Sequence, residues 1–339
     1  DARAAEAIVG AEIQVLVDLN GQTRGSRPTV LALRPAPVQL VFFGWAGPSG
    51  GSYIDALIGD RVATPPEYAG HYTEGLVVMA GALFSPDYGG TRDGKGLWSG
   101  AMVSEDPALN PVGIGFGSDG KWVGFQDEKM EKVKGWDKEI AQTLARAGRD
   151  GKLFACFNRI VKVDETVFGL WLDVLRRTPD TVLWLTLHPS DHTRAVAALH
   201  AAASAANVDA SRVVITGTVP ESVHLSIKGR ATLHVDTLRY NAHTTATDAL
   251  YAGVPTLTLP GERMADRIGA SLALAGGSGV LVVRDVNEYL AVSTRLLSGS
   301  KARSLRRLRS DLRTSASASA GVFDKELWMK QWEAALRIR

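Results

Sequence analysis

The sequence holds a single cysteine, Cys156, in 339 residues. That excludes an internal disulfide framework and a cysteine-based zinc site. It has no apolar run of the ~18 residues that a membrane-spanning helix needs. It has little surplus of charge of either sign. Lys and Arg number 38 against 36 Asp and Glu, a formal net charge of +2, too small to make nucleic acid a main partner. No signal-like segment opens the chain, which starts at Asp1 rather than Met. A processed or partly traced product is therefore expected, and localisation is not readable. What the chain does have is 45% hydrophobic residues, 35 Gly and 14 Pro. That is a globular composition long enough for two cores, so two domains are expected.

Three short apolar runs open the chain: Glu12 to Asp18, Val38 to Phe43 and Tyr53 to Ile58. Each is bounded by Gly or Pro and reads as a strand. Residues 88–125 are Gly-rich and weakly periodic, with Trp98, Phe116, Trp122 and Phe125 among them. They read as loop with a hairpin. From Lys152 the chain alternates: strands at 153–157, 181–186 and 212–215, with helices at 165–177 and 193–206 between them. Strands and helices of these lengths indicate βαβ units and a parallel sheet. The fold class is α/β, with two Rossmann-like lobes facing a cleft. The expected division is 1–87 for the first lobe, 88–150 for the insertion and a linker helix, and 151–339 for the second lobe.

The stretch DTLRYNAHTTATDALYAGVPTLTLPG, 236–261, runs from a strand through a polar loop into a helix and a second strand. In open parallel sheets, ligands bind outside the carboxyl ends of the strands, which is where His243, Thr244 and Thr245 fall. Two readings share this spacing. Thr245-x-x-Asp248 fits a helix capping box. The same helix start, with its unpaired N–H groups and dipole, also suits a diphosphate. His243 and the threonine pair would then add donors, and Asp248 would accept from ribose hydroxyls.

The segment 236–272 closely resembles the donor-binding segment of the O-linked N-acetylglucosamine transferase family, which includes the SPINDLY-type proteins. Ala32-Leu-Arg-Pro-Ala-Pro-Val-Gln39, Gly47-Pro-Ser-Gly50, Cys156-Phe-Asn158 with Lys162, Pro179 to Leu185 and the closing GVFDKELWMKQWEAAL resemble it too. The resemblance implies a GT-B fold whose first lobe is incomplete at its N-terminus. It implies inverting transfer of N-acetylglucosamine from UDP-GlcNAc to Ser or Thr of protein substrates. No cofactor and no metal are expected. It places Lys162 on the leaving diphosphate as the catalytic residue. His243, Thr244 and Thr245 would meet the diphosphate, Asp248 the ribose and His224 the uracil. Arg159 stands where the family has Gln or Asn, and would bind diphosphate as an amide does. Glu221 replaces a donor-binding Lys of animal members.

Two alternatives stand beside this reading: a GDP-fucose-dependent O-fucosyltransferase, and a catalytically inactive GT-B subunit of a larger assembly. In the second case partner chains would cover residues 88–135 and the first-lobe edge. The family resemblance implies a cytoplasmic or nuclear setting. Arg27 and Arg34 read as structural residues. Gly50 and Gly51 suit either a plain turn or a close approach of backbone to the sugar. Residues 301–313 read as an amphipathic helix with a solvated basic face.

Overall fold

The computed structural model describes residues 1–84, 115–116, 122–123, 138–188, 191, 194–218, 224–298, 302–318 and 320–337. The first lobe opens with α1 (Ala2–Gly10), β1 (Val15–Asp18), α2 (Pro28–Ala32), β2 (Val38–Phe42), β3 (Ala56–Asp60) and β4 (Gly75–Met79). Its four strands pair in parallel in the order β1-β2-β3-β4. Two-residue strands β5 (Gly115–Phe116) and β6 (Trp122–Val123) then pair antiparallel.

The second lobe follows with α3 (Lys138–Arg149), β7 (Leu153–Cys156), α4 (Glu165–Arg177), β8 (Val182–Leu187), α5 (Arg194–Ala205) and β9 (Val213–Gly217). It continues through α6 (His224–Lys228), β10 (Leu233–Val235), α7 (Thr244–Tyr251), β11 (Thr256–Leu257), α8 (Ile268–Ala275), α9 (Val286–Leu297), α10 (Ala302–Ser317) and α11 (Lys325–Leu336). Its five strands are also all parallel, in the order β11-β10-β7-β8-β9. The run Leu153-Phe-Ala-Cys156 is apolar throughout because helices cover both faces of such a sheet. From β7 the chain moves outward through β8 and β9, then returns to lay β10 on the other side of β7. That reversal creates a crevice at the carboxyl ends of β7 and β10.

The helices begin where their sequences provide caps. Asp164, Asp285 and Asp324 each accept a backbone N–H of the first turn at 2.9 Å, opening α4, α9 and α11. The third expected strand is displaced. It runs from Ala56 to Asp60, because Tyr53 lies in a turn and Asp55 just after it, both tied down by neighbouring side chains. The Gln39 side chain donates to the Tyr53 carbonyl at 2.8 Å, and Arg34 donates to the same carbonyl and to Asp55 at 3.0 Å. Arg34 is thus structural, and so is Arg27, which precedes α2 and pairs with Asp1. Strand β4 and helices α1 and α2 were not apparent from periodicity.

The two lobes share one core. Leu40, Leu57, Ile58 and Met79 of the first sheet pack in the same cluster as Ala246 and Leu250 of α7, Ile268 and Leu272 of α8, and Phe323. Polar ties cross the same boundary. Ser271 donates to buried Asp60 at 2.6 Å, and Arg267 donates to the Val62 carbonyl at 2.7 Å. The final helix α11 returns to the first lobe, where Trp328 and Trp332 stack at 5.6 Å and lie on Phe42. There Gln331 accepts the Gly81 N–H at 2.8 Å. Among the described residues no helix is long and apolar enough to cross a membrane.

Candidate functional site at the carboxyl ends of β7 and β10

Beyond β7 the chain turns through Phe157 and Asn158 into a short 3-10 turn, Ile160–Lys162. Asn158 is buried and reads three neighbours. Its amide donates to Thr237 at 2.7 Å and to Asp236 at 3.4 Å, and its carbonyl oxygen accepts from the Thr245 hydroxyl at 2.7 Å. One side chain therefore joins the loop after β7, the loop after β10 and the start of α7.

Asp236, the first residue past β10, is completely buried. It accepts the Ala242 N–H at 2.7 Å, the Thr237 N–H at 2.9 Å and the Thr258 hydroxyl at 3.1 Å. Burial pushes its carboxyl up to about 7, while those donors and the Lys162 charge pull the other way. Gly269 makes room for it, since a Cβ there would sit 2.0 Å from an Asp236 oxygen. The loop 236–243 is thus wound around a single carboxylate, which fixes where His243 and α7 begin.

Lys162 reaches over this loop. Its ammonium donates to the Asn241 carbonyl at 3.0 Å and lies 4.4 Å from the centroid of the Tyr240 ring. Burial lowers its pKa, with Arg159 adding to the effect and Asp236 opposing it. His243 caps α7 without a side-chain bond to the helix. Burial and the nearby Lys162 charge lower its imidazole to about 3, so the ring is neutral near pH 7. Its Nε2 is buried and meets no partner among the described residues. The ring sits between Tyr240 at 5.3 Å and Phe43 of the first lobe at 5.7 Å. A helix start also leaves its first N–H groups without intrahelical partners. An unfilled histidine nitrogen, a lysine and the positive end of a helix therefore converge on one place.

The capping-box reading does not survive. His243, not Thr245, stands at the cap position, and Thr245 spends its hydroxyl on Asn158. Asp248, one turn into α7, faces α6 instead of the helix start. There the Lys228 ammonium donates to its Oδ2 at 2.7 Å, and His224 Nε2 lies 3.7 Å from the same oxygen. Thr244 is exposed at the helix start. Lys162, His243, Thr244 and Thr245 thus gather near the start of α7, while His224 and Asp248 meet one turn further along it. Arg159 is drawn to one side, where its guanidinium donates to the nearly buried Asp191 at 3.0 Å. Glu221 and nearly all of 88–135 lie outside the described residues. Gly50 sits at φ +72°, and Gly51, pressed against the Tyr53 ring, opens a turn in which its carbonyl accepts the Ile54 N–H at 3.0 Å. Leu305 and Leu312 of α10 are buried while Arg303, Arg306 and Arg307 are exposed, so that helix is amphipathic.

Sequence reasoning missed Asp236, Tyr240 and Lys228 as parts of this site. Asp236 carried a faint signal, an acidic residue ending an apolar strand. Tyr240 and Lys228 carried none, because their roles come from neighbours far along the chain. Among the described residues no group of three or more His, Cys, Asp or Glu could hold a metal ion.

Two parallel-sheet lobes with polar groups gathered at a switch point define a GT-B-like fold, and solved structures agree. The chain aligns with a mutant O-GlcNAc transferase of Thermobaculum terrenum at a TM-score of 0.72 and 26% identity, covering 98% of this chain and 56% of that one. It also aligns, at 10% identity and a TM-score of 0.56, with Anabaena Alr3699/HepE in complex with UDP, a likeness of fold alone. The family model described as Glycosyl transferase family 41 matches residues 1–91 and 142–331, and the chain belongs to that family.

Among its relatives is the probable UDP-N-acetylglucosamine–peptide N-acetylglucosaminyltransferase SEC of Arabidopsis thaliana, 31% identical over 95% of this chain and 29% of that protein. Another is the UDP-N-acetylglucosamine–peptide N-acetylglucosaminyltransferase of Caenorhabditis elegans, 24% identical over 98% of this chain and 34% of that one. The chain thus spans about a third of the length of these curated relatives.

Proposed function

We propose that this chain is the donor-binding and catalytic part of a protein O-GlcNAc transferase, moving N-acetylglucosamine from UDP-GlcNAc to Ser or Thr hydroxyls with inversion. The observation that carries the reading is the buried, unpartnered Nε2 of His243 at the start of α7, beside Lys162. A buried polar atom without a partner is costly, and a diphosphate or sugar oxygen would satisfy it.

The chemistry follows from that placement. The acceptor hydroxyl attacks the anomeric carbon from the face opposite the diphosphate, the bond from that carbon to the phosphate oxygen breaks as the new one forms, and the hydroxyl proton leaves to water or to the departing diphosphate. Negative charge grows on the leaving UDP. Lys162 and the N–H groups opening α7 meet it, a role this reading gives to the protein rather than to a metal ion. Because the site is partly closed to water, those charges act more strongly than they would in solvent. Asp248, one turn into α7, lies beside His224 of α6, and in this reading the nucleoside extends toward that pair.

Calorimetry with UDP and GDP, followed by a labelled-sugar transfer assay, tests the proposal. UDP should bind more tightly than GDP, and label from UDP-GlcNAc should reach protein Ser or Thr. Tighter GDP binding with fucose transfer would overturn the donor assignment. Binding of UDP without any transfer would overturn the catalytic one.

A further inference from the structure

We infer that Lys228, at the end of α6, is a positioning residue for the donor's ribose, acting through Asp248. The inference rests on the donor reading above and adds a residue to it. Three contacts meet at this side chain. Its ammonium donates to Asp248 Oδ2 at 2.7 Å. It lies 5.5 Å from the centroid of Phe157, the residue between β7 and Asn158. And the carboxylate it holds is shared with His224 Nε2 at 3.7 Å. Lys228 thus connects the helix that carries the threonine pair, the loop after β7 and the histidine opening α6.

The pair is unusual in its setting. The Lys228 and Asp248 side chains are only 12% and 8% exposed. A lysine chain loses much rotamer freedom when fixed, and enclosed ion pairs contribute little net stability compared with apolar residues of the same volume. A pair that served stability alone would gain by being apolar. A carboxylate that must accept from ribose hydroxyls has a different requirement, since it must be held in one orientation toward the ligand. An ammonium on Oδ2 sets that orientation before the nucleotide arrives. A lysine has three N–H donors, and Asp248 uses one. Pre-orientation lowers the ordering cost of binding.

The test separates a ribose role from a structural one. Calorimetry on the whole chain would compare UDP with 2′,3′-dideoxy-UDP, in the wild type and in Lys228→Met. The wild type should favour UDP by about tenfold. In Lys228→Met that preference should shrink to within about twofold, because Asp248 no longer presents a fixed acceptor. Should Lys228→Met fail to fold, Lys228→Gln keeps a neutral donor toward Asp248 and carries the same comparison, again with a reduced preference. A full tenfold preference in a folded variant means that Lys228 only stabilises the structure, and the inference falls while the donor reading stands. If the wild type binds neither nucleotide, the donor reading falls and this inference falls with it.

Discussion

The two sheets of this molecule are built alike and used differently. Both are parallel, yet β1 is half-exposed along its whole length, while β7, β10 and β11 are buried at every residue. The second sheet closes its core with its own helices: Phe154, Leu183 and Leu185 pack against Trp171 and Leu175 of α4 and Tyr289 of α9. The first sheet does not. Its cluster is completed by α7, α8 and Phe323 from the other half of the chain. The candidate site is divided just as unevenly. Lys162, Asn158, Asp236, His243 and Asp248 all come from the second lobe, whereas the first contributes Phe43, beside His243, and Trp45, 6.3 Å from the Tyr240 ring. The helix that carries the site is thus also the floor of the first lobe. One element, α7, buries Ala246 and Leu250 toward the first sheet while its start opens the candidate site.

The largest effect expected from this division concerns the charge in the crevice. Lys162→Met should slow sugar transfer by about 10²–10³-fold, the range seen when one preorganised donor to developing charge is removed. UDP affinity should change much less, because the charge matters most in the transition state. A variant that loses UDP binding and turnover in equal proportion would reassign Lys162 to ground-state binding.

Next in size is the shared core. Leu272 is 1% exposed in α8 and packs in the cluster that spans both lobes. Leu272→Ala should cost about 2–5 kcal/mol. Denaturant unfolding followed by near-ultraviolet and far-ultraviolet circular dichroism should show one coincident transition at lower denaturant. Two separated transitions would mean that the first lobe stands without the floor provided by α7 and α8.

Asn158 tests how the site is held together. Asn158→Ala removes the donor to Thr237 and the acceptor for Thr245, leaving buried polar groups unmet. About 1–3 kcal/mol of stability should be lost, and UDP affinity with it, as the start of α7 loosens. Unchanged UDP binding in a destabilised variant would confine Asn158 to the scaffold.

Much of the second lobe was readable in the sequence because its signals are local. Alternating apolar strands and amphipathic helices, and a polar loop between a strand and a helix, need no knowledge of distant neighbours. The placement of His243 and the threonines at the end of β10 follows from that order alone. What could not be read depends on convergence. Asp236 matters because Asn158, Thr258 and Gly269 close around it from three other segments. Thr245-x-x-Asp248 carries the spacing of a capping box, yet Asn158 and Lys228 claim its two side chains first. In the first lobe, β4 is short and only half-buried over most of its length, so its pattern is weak.

A smaller prediction concerns the buried imidazole on β10. His234 is fully buried, its Nδ1 faces the Thr256 hydroxyl at 3.2 Å, and its ring stacks on Phe157 at 5.7 Å. Burial, with the Lys228 charge adding to it, lowers its pKa from 6.5 to about 3. Below 6.5 the unfolded chain takes up a proton that the folded chain refuses until about 3, so this group's contribution favours folding above 6.5 and is lost as the pH falls through that window. Asp236 acts in the opposite sense. Its raised carboxyl holds a proton that the unfolded chain releases between 3.8 and about 7, so its contribution grows as the pH falls there. The wild-type profile mixes the two, and the difference between wild type and His234→Asn isolates the histidine. Asn keeps a polar atom near the Nδ1 position but does not titrate. Between pH 7.5 and about 5, the wild type should lose up to about 2 kcal/mol relative to His234→Asn in urea unfolding. A difference that stays flat across that range would mean that the folded imidazole takes up its proton as readily as the unfolded one, and that β10 tolerates a buried charge.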